Sequence, residues 1–253
     1  MTKLSVNVNK VALLRNTRLL GIPSVTRAAT LAIQAGAAGI TVHPRPDRRH
    51  IRPDDVDDLN DLLRQPPLLA RQPELNIEGN PFEGDYLELI QRNRPTQCTL
   101  VPDDPAAFTS DHGWDIVAHT GRLRDVIEQL HATGCRVSLF MDADPVQIER
   151  VPVTGADRIE LYTEPYAAAY AIGGDGLEQV FNQFAEAARV AQGCGLGVNA
   201  GHDLNLDNLA RFVSIPGILE VSIGHALIGD ALEMGMPAAV RAYLDILAAT
   251  GAE

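Results

Sequence analysis

Side chains that can exchange protons recur where short apolar runs of the sequence end. The histidines are His43, His202 and His225, and the carboxylates are Glu78 and Glu160. Imidazole titrates near neutral pH, and burial or a neighbouring charge can move a carboxyl group toward neutrality. Several such groups in one cavity would predict general acid–base catalysis. Taken singly, each has a simpler interpretation as a structural histidine or as a glutamate paired with an arginine.

Phosphate binding is indicated at two places. The run Ser222–Gly229 follows the last apolar run and opens a helix, and Gly224 would let an anion approach backbone N–H groups closely. A glycine needed only for a tight turn is the alternative. Arg18, Arg45 and His50 could neutralise a second phosphate through charge-assisted hydrogen bonds.

These side chains need structural elements that bring them together. Eight short apolar runs, most of them rich in Val, Ile, Leu or Thr, predict buried parallel strands. The runs are Leu4–Asn9, Gly39–Pro44, Leu75–Gly79, Gln97–Pro102, Arg136–Asp142, Arg158–Thr163, Gly197–Gly201 and Glu220–Gly224.

The segments between the runs have the spacing of amphipathic helices. In Ser24–Gly36 the apolar residues lie on one helical face, and Gly36 ends the helix. Asp144 followed by Pro145 predicts an N-cap with proline at the first helical position. Asp142 and Asp144 are therefore expected to cap a helix rather than to take part in chemistry.

The alternation of runs and helices predicts the fold. Eight strand–helix units indicate an α/β-class (β/α)8 TIM barrel with short additional helices, as a single domain over residues 1–253. A doubly wound open sheet is the alternative, but no GxGxxG motif follows the first run. In a barrel the chemistry lies at the C-terminal ends of the strands. The irregular stretch Asp103–Asp115 is either an active-site cover or a plain surface loop.

The net charge and the amino-acid composition disfavour several classes of partner and of chemistry. A formal net charge of −12 disfavours nucleic acid as a partner. No stretch reaches about 18 uninterrupted apolar residues, and residues 1–9 lack the core of a secretory signal, so no membrane partner is predicted. Three cysteines without paired spacing predict a reducing, cytoplasmic compartment and no zinc site. The lysines are only Lys3 and Lys10, so an enzyme-bound imine is not expected unless Lys10 forms it.

Two motifs are specific enough to suggest a family. One is the stretch His43–Ile51, and the other is Asn199-Ala200-Gly201-His202. Further matching stretches follow in order along nearly the whole chain: Val6-Asn7, Leu14–Asn16 with Arg18, Gly39–His43, Asn76–Glu78, Leu100–Pro102, Val137–Phe140, Asp142–Asp144, Ile159-Glu160 and Ile223–Ala226. With these motifs the sequence resembles the pyridoxine 5'-phosphate synthase family.

The resemblance implies an activity. Members of this family condense 1-deoxy-D-xylulose 5-phosphate with 3-amino-2-oxopropyl phosphate to give pyridoxine 5'-phosphate, inorganic phosphate and water. They use no metal and no organic cofactor, and they assemble as octamers of barrels. The implied partners are therefore small phosphorylated substrates and further copies of the chain. The imine forms between the two substrates, which agrees with a chain that has few lysines.

The resemblance also implies roles for individual residues. His43 and Glu78 would accept protons, and His202 would donate one. Glu160 would stabilise charged intermediates. The residues that would bind the aminoketone phosphate are Asn7, Arg18, Gly224 and His225. Those that would bind the deoxyxylulose phosphate are Arg45, His50 and Thr109, and the family's loop after the fourth strand closes over the substrates.

Four positions depart from the family pattern. Asn9 and Lys10 stand where the family has Asp and His, and neither replacement titrates near pH 7 unless Lys10 is strongly shifted. Asp203 follows His202 where glycine is usual, and its carboxylate would oppose a phosphate. Pro105 stands where the family has arginine. Asn9, Lys10 and Asp203 remain candidate substrate-binding residues.

Two other functions are compatible with the sequence. A metal-dependent aldolase or epimerase acting on a sugar phosphate could use His43, Glu78, His202 and His225 as ligands. A non-catalytic sugar-phosphate-binding barrel is the other, because a fold does not fix a function. Metal content and binding without turnover are the observations that separate them from the synthase.

Overall fold

The eight strands form one closed parallel barrel. The computed structural model describes residues 1–104 and 107–250, so Pro105 lies outside the described residues. The strands are β1 (Lys3–Asn7), β2 (Gly39–Val42), β3 (Glu74–Gly79), β4 (Gln97–Leu100), β5 (Arg136–Met141), β6 (Arg158–Tyr162), β7 (Gly197–Gly201) and β8 (Ile218–Ile223). They pair in chain order, and β8 pairs with β1 to close the ring. The predicted (β/α)8 barrel is confirmed, and the open-sheet alternative is wrong.

Helices surround the barrel. Those of the described residues are α1 (Asn9–Asn16), α2 (Val25–Ala35), α3 (Pro53–Leu63), α4 (Tyr86–Asn93), α5 (Ile116–His131), α6 (Pro145–Ile148), α7 (Glu164–Ile172), α8 (Asp175–Gly193), α9 (Leu209–Phe212), α10 (His225–Met234) and α11 (Met236–Thr250). Two short 3₁₀ helices, Leu69–Arg71 and Val151–Thr154, are also present. None of the described helices is both long enough and apolar enough to cross a membrane.

The predicted helix ends at Ser24 and Gly36 and the predicted cap at Asp144 are confirmed, whereas Asp142 is not the cap of α6. The Ser24 hydroxyl accepts a hydrogen bond from the backbone N–H of Arg27 at the start of α2. Gly36 ends that helix with a φ of +118°, a conformation that glycine adopts without strain. Asp144 caps α6 by accepting from the N–H of Val146 at 2.9 Å, with Pro145 as the first helical residue.

Four predicted strand boundaries are wrong by two residues. Strands β2 and β4 end at Val42 and Leu100 rather than at Pro44 and Pro102. The first strand ends at Asn7 rather than Asn9, because Oδ1 of Asn7 accepts a hydrogen bond from the N–H of Asn9 at 3.0 Å and α1 begins there. Strand β8 begins at Ile218 rather than Glu220, directly after Gly217, whose φ of +79° turns the chain.

Side chains alternate between two buried faces along each strand. On the outer face, residues such as Val6, Ile40 and Leu139 pack in the main hydrophobic cluster between the barrel and its helices. The alternate positions are buried and polar; they include Ser5, Thr41, Asn76, Thr99, Ser138, Glu160, Asn199 and Glu220. Barrel interiors are usually filled by bulky branched apolar residues, so this interior is unusual.

Hydrogen bonds between strands show that the polar residues point into the barrel. Nδ2 of Asn199 on β7 donates to Oε1 of Gln97 on β4 at 3.4 Å, across the interior. Thr99 on β4 donates to Glu160 on β6 at 3.3 Å. At the N-terminal end, Glu74 accepts from Lys3 at 2.6 Å. A buried polar group is costly without such partners, so the interior residues depend on one another.

The stretch between β4 and α5 is anchored to the end of β5 and leaves no room for a side chain at Gly113. A Cβ there would overlap the backbone of Asp142 and Met141. We therefore expect Gly113→Ala to lower the thermal unfolding midpoint by about 5 °C. Gly121→Ala is the matched control, because Gly121 lies in α5 and a Cβ there would meet nothing within 4 Å. An unchanged midpoint for Gly113→Ala would contradict this close approach.

Candidate active site

A cavity of about 370 Å³ lies at the C-terminal ends of the strands. All but one of the predicted site residues line it, namely Asn7, Asn9, Lys10, His43, Arg45, His50, Glu78, Thr109, Glu160, His202, Asp203, Gly224 and His225. Arg18 is the exception: it is exposed and is not among the residues that line the cavity. The C-terminal ends of the strands thus bring the predicted acid–base and phosphate-binding side chains together, apart from Arg18.

Two buried carboxyl groups lie deep in the cavity. Glu78, on β3, is 9% exposed, and Glu160, on β6, is 2% exposed. Burial raises the pKa of Glu78 well above its ordinary value, and the charge of Glu160 adds to this effect. Burial and the charge of Glu220 raise the pKa of Glu160 to about 8. Among the described residues Glu160 bonds with Thr99 and not with an arginine, so the simpler interpretation of Glu160 as an arginine partner is wrong.

His43 lies between two carboxyl groups. Its Nδ1 is 3.9 Å from Oε2 of Glu78, and its Nε2 is 3.7 Å from Oδ2 of Asp103. Burial, followed by the charge of Arg45, lowers the pKa of His43 well below its ordinary value. A neutral His43 can accept a proton. The backbone N–H of His43 donates to Oδ1 of Asn9 at 2.9 Å, so Asn9 also orients the end of β2.

His202 follows β7 in a backbone conformation that few side chains adopt. Its φ is +84°, and its ring packs edge-on against Phe140 and Tyr162, with ring centroids 5.5 and 5.2 Å away. The Thr163 hydroxyl lies within hydrogen-bonding distance of the His202 carbonyl oxygen. Burial lowers the pKa of His202, and the Asp203 carboxylate opposes that shift. Packing and the threonine therefore hold the imidazole at the cavity wall.

Asp203 also has a left-handed backbone, with a φ of +57°. This conformation favours glycine, the residue that the family pattern has here, and aspartate is among the residues that tolerate it best. The substitution therefore adds a carboxylate to the cavity lining without requiring a different backbone.

One predicted phosphate-binding place is the start of α10. Gly224 is its N-cap residue and His225 its first residue. The first N–H groups of a helix have no partner inside it and attract anions. Gly224 lies against Asn7, and a Cβ on Gly224 would be 3.1 Å from the Cβ of Asn7. Glycine therefore brings the helix start next to the end of β1.

The other predicted phosphate-binding place contains Arg45, His50 and Thr109. Nδ1 of His50 accepts a hydrogen bond from the N–H of Ile51 at 2.9 Å, so neutral His50 has its proton on Nε2. Burial and the charge of Arg45 lower the pKa of His50 to about 4, so it is neutral at pH 7. Neutral His50 can thus donate a hydrogen bond to an anion in the cavity.

Two residues near this place were not predicted as site residues. Asp103 pairs with Arg45 and is buried. The signals in the sequence were its place just after the predicted strand Gln97–Pro102 and the acid that the family resemblance implies at this position. Arg49, seven residues after the end of β2, also lines the cavity. Its Nη1 donates to the carbonyl oxygens of Ala107 and Phe108, both at 3.0 Å.

Comparison with known proteins identifies the family. Residues 4–249 match the family described as pyridoxal phosphate biosynthesis protein PdxJ. The chain belongs to this family. The pyridoxine 5'-phosphate synthase of Albidiferax ferrireducens is 59% identical over 252 residues, which cover 98% of each chain. That of Xanthomonas axonopodis pv. citri is 53% identical and covers 97% of this chain and 96% of its own.

Solved structures with little sequence identity share the fold. Thiamine phosphate pyrophosphorylase from Pyrococcus furiosus has a TM-score of 0.61 at 12% identity, covering 98% of this chain and 96% of its own. Phosphoribosylanthranilate isomerase from Thermotoga maritima has a TM-score of 0.55 at 12% identity, covering 97% of this chain and 98% of its own. At such identities the likeness concerns the barrel alone.

The family resemblance drawn from the sequence motifs is confirmed. The four side chains that a metal-dependent enzyme would use, His43, Glu78, His202 and His225, all line the cavity. Across residues 1–104 and 107–250, however, no group of three or more His, Cys, Asp or Glu side chains is arranged to hold a metal ion.

The raised pKa of Glu160 predicts a pH-dependent stability. Between its ordinary value of 4.5 and about 8, the folded chain keeps a proton that the unfolded chain releases. Its contribution therefore destabilises the fold increasingly as pH rises through this window. The side chain of Glu160→Gln cannot ionise, so this variant does not lose stability in this way. We expect the difference in free energy of unfolding between the variant and wild type to rise by on the order of 2 kcal/mol from pH 5 to pH 9, in favour of the variant.

Thermal or urea unfolding at several pH values measures this difference. Glu128→Gln is the control, because it makes the same chemical change on an exposed position of α5. A difference between Glu160→Gln and wild type that stays constant or shrinks as pH rises would show that Glu160 has no raised pKa.

Proposed function

We propose that this protein is a pyridoxine 5'-phosphate synthase that condenses 1-deoxy-D-xylulose 5-phosphate with 3-amino-2-oxopropyl phosphate. The products are pyridoxine 5'-phosphate, inorganic phosphate and water. The observation that carries the proposal is the convergence of His43, Glu78, Glu160 and His202 on one cavity of a chain in this family. Ring formation needs several proton transfers and dehydrations in one place, and such groups suit that task.

Each of these side chains has a role that fits its environment. Neutral His43 accepts a proton directly, and Glu78 accepts one once it is ionised, since its raised pKa makes its carboxylate a stronger base. His202 donates a proton once it is protonated, a form that burial disfavours and the neighbouring Asp203 carboxylate favours. Glu160 stabilises the positive charge of intermediates when it ionises, since a carboxyl group with a pKa of about 8 changes charge near working pH.

Two ends of the cavity accommodate the two phosphates in this proposal. Asn7, Gly224 and His225 bind the aminoketone phosphate at the start of α10. Arg45, His50 and Thr109 bind the deoxyxylulose phosphate on the other side. Asn9, Lys10 and Asp203 contact other parts of the substrates in the same cavity. The roles of Arg18 and of closure by the loop after β4 stay predictions. No metal or organic cofactor takes part in this proposal.

Activity without Glu78 tests the proposed chemistry. Glutamine keeps the size of the side chain but cannot transfer a proton, so Glu78→Gln is expected to fold normally and to lose about 100-fold or more in kcat. Chelator-treated protein would be mixed with both substrates, and pyridoxine 5'-phosphate would be detected by fluorescence and mass. Glu83→Gln, at an exposed neighbouring position outside the cavity lining, is the control.

Any of three outcomes would contradict the proposal. Near-normal turnover by Glu78→Gln would remove Glu78 from the proton transfers. No product from folded, chelator-treated wild type, with recovery on adding a divalent metal, would favour the metal-dependent alternative. Binding of both substrates without any turnover would favour the non-catalytic barrel.

We further propose that residues 1–253 form one cytoplasmic domain that assembles as a homo-octamer. An exposed apolar segment supports assembly, because Leu19, Leu20 and Ile22 are 99%, 62% and 65% exposed. Sedimentation of the purified protein is expected to give the mass of eight chains. A species with the mass of one chain at micromolar concentration would contradict it.

A further inference from the structure

Arg45, which is proposed to bind the deoxyxylulose phosphate, already forms an ion pair with a carboxylate of the protein. Arg45 is 5% exposed, and its Nη2 forms an ion pair with Oδ2 of Asp103. Its Nη1 donates to the carbonyl oxygen of Ala107 at 2.7 Å. Both terminal nitrogens therefore contact the segment after β4, and the positive charge of Arg45 is neutralised next to the cavity.

Asp103 is buried but incompletely hydrogen bonded. Its Oδ2 accepts from the Ser110 hydroxyl at 2.9 Å, and its backbone carbonyl accepts from Nδ2 of Asn80 at 3.0 Å. Its Oδ1 is buried and has no hydrogen-bond partner among the described residues. A buried carboxylate oxygen without a partner raises the free energy of the arrangement that contains it. The Arg45–Asp103 pair therefore leaves one carboxylate oxygen unsatisfied beside the cavity.

A phosphate group in the cavity would meet the same guanidinium. Arg45, His50, Thr109 and Ser110 all line the cavity, whereas Asp103 lies beside Arg45 outside that lining. A phosphate offers three acceptor oxygens and a larger charge, and it matches the forked guanidinium donors better than a single carboxylate oxygen does. The Asp103 carboxylate, in turn, repels any phosphate that shares Arg45 with it.

We propose that Asp103 exchanges with phosphate on Arg45 and thereby sets the affinity of this end of the cavity for phosphorylated ligands. The carboxylate positions the guanidinium while no anion is bound, and the phosphate group of the substrate takes over the ion pair. After the phosphate has left the substrate, the carboxylate recovers Arg45 and favours release of the inorganic ion. This inference rests on the proposed function, which assigns Arg45 to the deoxyxylulose phosphate.

A purely structural ion pair would behave in the opposite way. If Asp103 only held Arg45 in place, its removal would leave the guanidinium badly oriented and would weaken phosphate binding. Exchange predicts tighter binding, because the competing charge is gone while asparagine still offers an acceptor to Arg45 and Ser110. The sign of the change therefore separates the two roles.

Titration calorimetry with inorganic phosphate at fixed ionic strength tests the exchange. We expect Asp103→Asn to bind phosphate about 10-fold more tightly than wild type, and inorganic phosphate to inhibit its ring formation correspondingly more strongly. Asp111→Asn is the matched control. It removes the same charge from the same loop at a side chain that is 65% exposed, so phosphate affinity is expected to stay within about 2-fold.

The double variant Asp103→Asn/Arg45→Gln tests whether the gain in phosphate affinity depends on Arg45. It is expected to bind phosphate no better than Arg45→Gln alone, because the gain requires the guanidinium. Unchanged or weaker binding by Asp103→Asn overturns the exchange, as does a gain that persists without Arg45. A raised KM of Arg45→Gln for 1-deoxy-D-xylulose 5-phosphate supports the proposed function on its own, so the failure of one proposal can be told from the failure of the other.

Discussion

Hydrogen bonding inside the barrel is the constraint on which the site depends. The strands put apolar side chains outward and polar ones inward, so charged and amide groups are buried on all sides. Such groups persist only with partners, and bonds such as that from Asn199 to Gln97 join strands that are not neighbours. The same burial raises the pKa of Glu78 and Glu160. The packing of the barrel and the acid–base character of its cavity thus have one physical cause.

Much of this arrangement follows from the sequence, because a parallel barrel needs only recurring buried strands and helices between them. The rule that the C-terminal strand ends converge is enough to predict that His43, Glu78 and His202 surround one cavity. The polar interior was also predictable, since Ser5 and Asn7 alternate with apolar residues at a period of two. The strands were predicted as continuous apolar runs, so the alternation of polar and apolar residues was not predicted.

The remaining features depend on where irregular backbone goes, and periodicity does not fix that. Asp103, Ala107 and Phe108 all come after β4. Asp103 pairs with Arg45, and the carbonyl oxygens of Ala107 and Phe108 accept hydrogen bonds from Arg49 beside the cavity. Arg18 shows the reverse case: its residue type suits phosphate, but its segment lies exposed beyond α1. Residue type predicted the chemistry in each case, and loop geometry decided whether it could be used.

Glu220 is buried in the barrel, and its charge acts on a side chain that lines the cavity. Glu220 belongs to β8 near the N-terminal end of the strands, yet its charge is the largest influence after burial on the pKa of Glu160. In most barrels the two ends divide their tasks, one serving stability and the other catalysis. Here buried polar side chains connect the two ends, so the charge of Glu220 shifts the pKa of Glu160 in the cavity. A substitution at the N-terminal end of the barrel is therefore expected to change the protonation of a side chain that lines the cavity.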